Sequence, residues 1–180
     1  LHTGIHSFPT RRSSDLILNY AHPRKLDLVA LDINILILES QPILEKVLHE
    51  KGSIKLTLSL SAEPCLIHAD KHLLQRALMN IVMNSCEAVQ PEGIIHIETS
   101  HDACYVLINV SDNGPGMDDE VREKAFEPFF TTKKQGTGLG LSIVRNIVES
   151  HKGTITLHRN EEEGGMRVTM AFPAVTQICT

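Results

Sequence analysis

The sequence lacks paired cysteines. Its four, at 65, 86, 104 and 179, form no CxxC unit and share no ligand spacing with histidine, which excludes a disulfide framework and a thiolate zinc site and leaves reduced thiols. Positive charge is in deficit: 17 Lys and Arg face 22 Asp and Glu, a formal net charge of -5, whereas a general nucleic-acid binder needs a cationic footprint. No nucleic-acid partner is expected. Long apolar runs are missing as well, since the longest, around residues 32–39, is too short and too polar at its ends to cross a bilayer. A cytoplasmic placement is therefore expected, and the membrane part of any receptor would lie outside this chain. With 42% hydrophobic residues in 180, one sizeable core and one globular domain are expected.

What the chain does carry is an alternating glycine run, Gly136, Gly138 and Gly140, that opens an apolar-striped helix. Leu141, Val144, Ile147, Val148 and His151 share one face of that helix and supply its buried stripe. Glycine leaves the backbone open to a ligand, and the first N–H groups of a helix have no intrahelical partner, so such a turn can hold phosphate. Upstream, Asp112 follows an alternating run over 105–110 that predicts a strand, and Asn113, Gly114, Pro115 and Gly116 force a turn at its end. Asn80 and Asn84 lie one turn apart on a helical pattern over 70–89. Leu74, Ala77, Leu78, Ile81 and Val82 make that pattern a core surface, so two amides beside it must find partners or cost stability.

Taken in order, these segments resemble the ATP-binding catalytic domain of sensor histidine kinases, in the superfamily that also holds DNA gyrase, mismatch-repair and heat-shock chaperone ATPases. Residues 80–88 are similar to its N box, 112–116 to the first glycine box, 126–133 to the F box and 136–140 to the second glycine box; Gly164 and Gly165 resemble its terminal glycine pair. Residues 84–89 and 129–133 resemble the nitrogen-regulator branch. The resemblance implies a Bergerat-type fold, ATP and Mg2+ as ligands, and a phosphotransferase acting on a histidine of the dimerisation domain of a full-length homodimer, with a response regulator downstream.

The resemblance also implies residue roles. Asp112 would accept a hydrogen bond from the exocyclic amine of adenine, Asn84 would give Mg2+ an amide oxygen, and Lys133 would reach a phosphate from a lid over 113–138, with Lys134 as the alternative. Gly114 and Gly116 would let the backbone pass the base. Thr132, Lys133, Gly136, Thr137, Gly138, Leu139 and Gly140 would complete the nucleotide contacts, and Asn80, Asn84 and Lys133 form the catalytic set. Asn80 stands where the superfamily's hydrolases carry a water-activating glutamate; an amide is no general base near neutral pH, so slow hydrolysis is implied. Glu87 takes a position where many members have a cation or histidine, so no phosphate contact is expected from that turn. Phe126, Phe129 and Phe130, three of five phenylalanines, would pack the lid and dock on the phosphoacceptor helices. None of the ten histidines has the family's acceptor context, so the chain alone is expected to be inactive in autophosphorylation. The alternatives are a self-contained ATPase or a serine kinase of the same superfamily.

The organisation follows. Residues 1–16 have no core-facing pattern and are read as a non-native or disordered arm, 17–31 as the end of a dimerisation helix plus linker, 32–176 as the catalytic domain and 177–180 as a tail. A helix over 33–51 is expected to end on a left-handed Gly52. Strands are expected over 54–60, 95–99, 105–110, 154–158 and 166–172. The fold class is α/β, a two-layer sandwich with helices on one face of a mixed, mainly antiparallel sheet.

Overall fold

The computed structural model describes residues 26–89, 91–133, 136–160 and 164–175. The segment 1–16, most of the stretch 17–31, Lys134 and the tail 177–180 lie outside the described residues. In chain order the elements are β1 (Val29–Asp32), α1 (Ile33–Gly52), β2 (Lys55–Ser59), β3 (Leu66–Ala69), α2 (Lys71–Ala88), β4 (Ile94–His101), β5 (Tyr105–Asp112), α3 (Asp119–Lys124), α4 (Gly140–Ser150), β6 (Thr154–Arg159) and β7 (Met166–Pro173). The main sheet runs β2-β4-β5-β7-β6, with β2 parallel to β4 and every other pair antiparallel. β1 and β3 form a separate antiparallel pair. This is the expected two-layer α/β arrangement.

Strand alternation sorts the sheet into two faces. Ile95, Ile97 and Thr99 of β4, Val106, Ile108 and Val110 of β5, and Val168, Met170 and Phe172 of β7 are buried. The intervening positions carry a polar ladder in which Thr169 Oγ1 donates to Asn109 Oδ1 at 2.7 Å and Asn109 Nδ2 donates to Glu98 Oε2 at 3.3 Å. The helices cover the buried face with stripes at helical spacing: Leu36, Ile37, Leu44 and Leu48 from α1, Leu74, Ala77, Leu78, Ile81 and Val82 from α2, and Val144, Ile147 and Val148 from α4. His151, just past α4, is buried among them. Its Nε2 accepts the Asp70 N–H at 2.9 Å, so the ring proton sits on Nδ1 and donates to the Ile147 carbonyl at 2.7 Å, which ties the end of α4 to the start of α2.

Three elements depart from the sequence expectation. β1 and β3 are four residues each, too short to show an alternation, and β1 lies in the stretch read as linker. α3 buries none of its residues, so it carries no apolar stripe to betray it. The left-handed cap of α1 is Ser53, at φ 56°, and not Gly52; its N–H donates to the His49 carbonyl at 3.3 Å. Cys65, Cys86 and Cys104 are free thiols, and burial pushes the first two up from the ordinary thiol range.

Asp70 caps α2, its Oδ1 accepting from His72 N at 3.1 Å and Leu73 N at 3.2 Å. Burial works to raise its carboxyl, but the backbone donors of Leu73, Asp27 and His72 outweigh it and hold the group below the usual range. A depressed folded-state pKa stabilises the fold above the unfolded value of about 3.9, and that contribution is lost as pH falls through the lower, folded value. Urea melts between pH 7 and pH 3 should therefore show an acid-side loss that Asp70→Asn, a cap without a charge, reduces; Asp102, held down by the backbone donors of Cys104 and Tyr105, contributes a loss of the same sign that remains. An identical pH profile in that variant would contradict the capping account.

Candidate functional site

A cavity of about 360 Å³ opens between α2, the start of α4 and the segment between them in sequence, within the size range of small-molecule sites. α2 presents Asn80, Met83, Asn84, Glu87 and Ala88 to it, one face at spacings of three and four. The opposite walls are Met117, Val121 and Ala125, then Phe130 to Lys133, Gly136 to Gly138, Gly140 and Leu141. The structure thus brings together Asn80, Asn84, Thr132, Lys133, Gly136, Thr137, Gly138 and Gly140. Asp112, Gly114, Gly116 and Leu139 do not line it.

Asp112 sits at the end of β5, 4% exposed. Its Oδ1 accepts from Gly114 N at 3.0 Å and from Met166 N at 3.2 Å, a turn cap and a clamp on the start of β7. Both backbone donors fall on one oxygen, which leaves Oδ2 for another. Gly114 abuts the cavity wall, since a Cβ built there would stand 3.1 Å from the Ala88 carbonyl oxygen. Asn113 Oδ1 closes the turn by accepting from Ile94 N at 2.8 Å.

The glycine run is shaped by two demands. Gly138 has φ +66°, and a Cβ there would fall 2.3 Å from the Phe129 carbonyl carbon, so the backbone itself requires glycine. Its carbonyl accepts from Phe129 N at 2.9 Å. Gly140 is different: a Cβ would meet only the Asn84 amide at 3.4 Å, an ordinary contact. Its missing side chain leaves room in the cavity instead. Leu139 precedes α4 and gives no side-chain cap, so the first N–H groups of the helix are unclaimed by a capping side chain.

The amides of α2 are not equivalent. Asn80 lines the cavity, but its Nδ2 is sealed from solvent and has no hydrogen-bond partner among the described residues, an uncommon cost for a buried amide. Asn84 faces Gly140 across the cavity. Lys133 Nζ pairs with Glu87 Oε2 at 2.5 Å. The sequence reading gave Lys133 a role and Glu87 none; the pair was legible only in that Glu87 extends the Asn80 and Asn84 face by one turn. Met83, Met117, Val121, Phe130, Thr131 and Leu141 also line the cavity without having been singled out as contacts. Phe126 lies under the Arg145 guanidinium at 5.5 Å, while Phe129 is 67% exposed at φ 68°. His68 and His72 stand four residues apart, a metal-like spacing, but both are exposed, and among the described residues no three His, Cys, Asp or Glu side chains cluster as a metal site.

Residues 69–176 match the family described as histidine kinase-, DNA gyrase B-, and HSP90-like ATPase. The chain belongs to this family. It is similar to Sporulation kinase B of Bacillus subtilis (strain 168), 34% identical over 168 residues, covering 91% of this chain and 38% of the relative. It is also similar to Sensor histidine kinase ZraS of Escherichia coli (strain K12), 37% identical over 150 residues, covering 82% and 32%. The chain thus spans about a third of the length of these relatives. Among solved structures, the catalytic domain of histidine kinase ThkA superposes with TM-score 0.75 at 34% identity, covering 82% of this chain and 97% of that one. ThkA in complex with the response regulator protein TrrA gives TM-score 0.77 at 31% identity, covering 92% and 47%. The described fold is therefore a histidine-kinase ATP-binding catalytic domain. Among its described residues, no helix is long and apolar enough to cross a membrane.

Proposed function

We propose that this domain donates the γ-phosphoryl group of ATP to a histidine on the dimerisation domain of a longer, homodimeric sensor kinase, which then serves a response regulator. The observation that carries this reading is a single cavity that gathers Asn80, Asn84, Lys133 and the open start of α4. The residues fit ATP with a divalent cation: an amide oxygen on Asn84, a lysine and free helical N–H groups together suit phosphate and its counter-ion. When bound, ATP supplies the transferable phosphoryl group and Mg2+ offsets its charge. Asn84 holds the cation, Gly136, Thr137, Gly138, Leu139 and Gly140 cradle phosphate with Thr132 and Lys133, and Gly114 and Gly116 pass the base. Asp112 accepts from the exocyclic amine of adenine through the oxygen its backbone donors leave over. Asn80 orients and binds without acting as a base, which favours holding ATP over hydrolysing it. Phe129, exposed next to the cavity-lining Phe130, suits docking on the acceptor helices.

A charged acceptor bond of roughly 1.5–3 kcal/mol predicts about a ten- to hundredfold preference for ATP over GTP. Competition against a fluorescent ATP analogue checks this. Equal competition by GTP, or an undiminished preference in Asp112→Ala, would sink the adenine assignment. With γ-labelled ATP, acid-labile label should appear on an acceptor helix fused ahead of Tyr20 and not on the chain alone. Label on the isolated chain, or rapid phosphate release from it, would favour a self-contained enzyme.

A further inference from the structure

Lys133 and Glu87 come from opposite walls of the cavity, the lysine from the segment before Gly136 and the glutamate from α2, one turn beyond Asn84. Their 2.5 Å pair leaves the lysine neutralised, although the nucleotide reading needs its charge for phosphate. Both side chains are part-exposed, at 41% and 44%, so water and ligand reach the pair. We propose that Glu87 is the displaceable counter-ion of Lys133: it holds the lysine across the cavity until nucleotide phosphate takes its place, and by that exchange it lowers nucleotide affinity. The inference rests on the nucleotide reading of this cavity.

Polyphosphate outcompetes one carboxylate because it brings more charge and more acceptor oxygens to the same ammonium group. The pair must nevertheless be broken first. An exposed pair contributes little, so Glu87→Gln should tighten ATP binding two- to fivefold, about 0.4–1 kcal/mol at 1.4 kcal/mol per tenfold. Relief of a simple repulsion between Glu87 and phosphate would tighten binding in Glu87→Gln too, but without regard to the lysine. The two are separated by a cycle of wild type, Glu87→Gln, Lys133→Ala and the double variant, all in the full chain.

Calorimetric titration of Mg-ATP should show a clear gain from Glu87→Gln in the Lys133 background and a much smaller one beside Lys133→Ala. Equal gains in both backgrounds would reduce Glu87 to a repelling charge and overturn the exchange. A loss of affinity seen only with Mg2+ present would make Glu87 a cation ligand and overturn it equally. Without nucleotide, acetylation of Lys133 followed by mass spectrometry should be faster in Glu87→Gln than in wild type; unchanged labelling would show that no pair forms. Labelling that responds as expected while no form binds ATP would instead refute the nucleotide reading and leave the ion pair standing.

Discussion

Asn84→Ala is expected to lower Mg2+-dependent nucleotide affinity by at least about 10- to 100-fold and to abolish phosphoryl transfer, with little change in thermal stability. Removing a group that merely orients a metal ligand already costs about that much in metal affinity, and a direct ligand should cost no less. Mg2+ keeps most of its waters and needs few protein oxygens, so a site with one amide ligand has no spare to replace it. Stability should hold because Asn84 stands in the cavity wall, half-buried, facing Gly140 and not the core. Titration of ATP with Mg2+ and then with excess chelator separates the two effects. Retention of the Mg2+-dependent increment in the variant would remove Asn84 from the cation's surroundings, whatever happened to transfer.

The helix spacing of Asn80 and Asn84 was visible because apolar neighbours at three and four residues fix which way α2 faces the core. Those neighbours said where the amides point but not what meets them, and the missing partner of Asn80 Nδ2 appears only once α4 is packed alongside. Asp112 was legible as a strand end beside a turn. Its grip on Met166 N, 54 residues away, was not, because pairing between β5 and β7 is a long-range event with no local signature. Glu87 shows the same limit in another form. Its place on the cavity face follows from helical arithmetic, whereas the Lys133 that neutralises it arrives from a loop whose path no periodicity records. α3 was missed because six residues held by an Asp118 cap and exposed ion pairs bury nothing.

Gly165→Ala should unfold the start of β7 and, with it, the placement of Asp112. Gly164 and Gly165 both have φ +76°, a backbone that costs an L-residue roughly 1–2 kcal/mol. They differ in what a side chain would strike. At Gly164 the nearest atom to an added Cβ is the Gly114 carbonyl oxygen at 3.8 Å, an ordinary contact. At Gly165 the Cβ would fall 2.1 Å from the Asp112 carbonyl oxygen and 2.6 Å from its Oδ1, the oxygen that accepts from Gly114 and Met166. The first is backbone and the second is held by two backbone donors, so backbone must move, which adds roughly 1–3 kcal/mol of overpacking. The total, about 2–5 kcal/mol, corresponds to a melting temperature lower by roughly 4–20 °C in a domain of this size. Gly164→Ala carries the conformational cost alone and should fall by only a few degrees. The same pair of variants separates structure from recognition: Gly165→Ala should lose the ATP-over-GTP preference even where it remains folded, because the carboxylate is pushed off its backbone donors, while Gly164→Ala should keep it. Equal melting temperatures and equal nucleotide preference in the two variants would mean that Gly165 does not hold Asp112 in place.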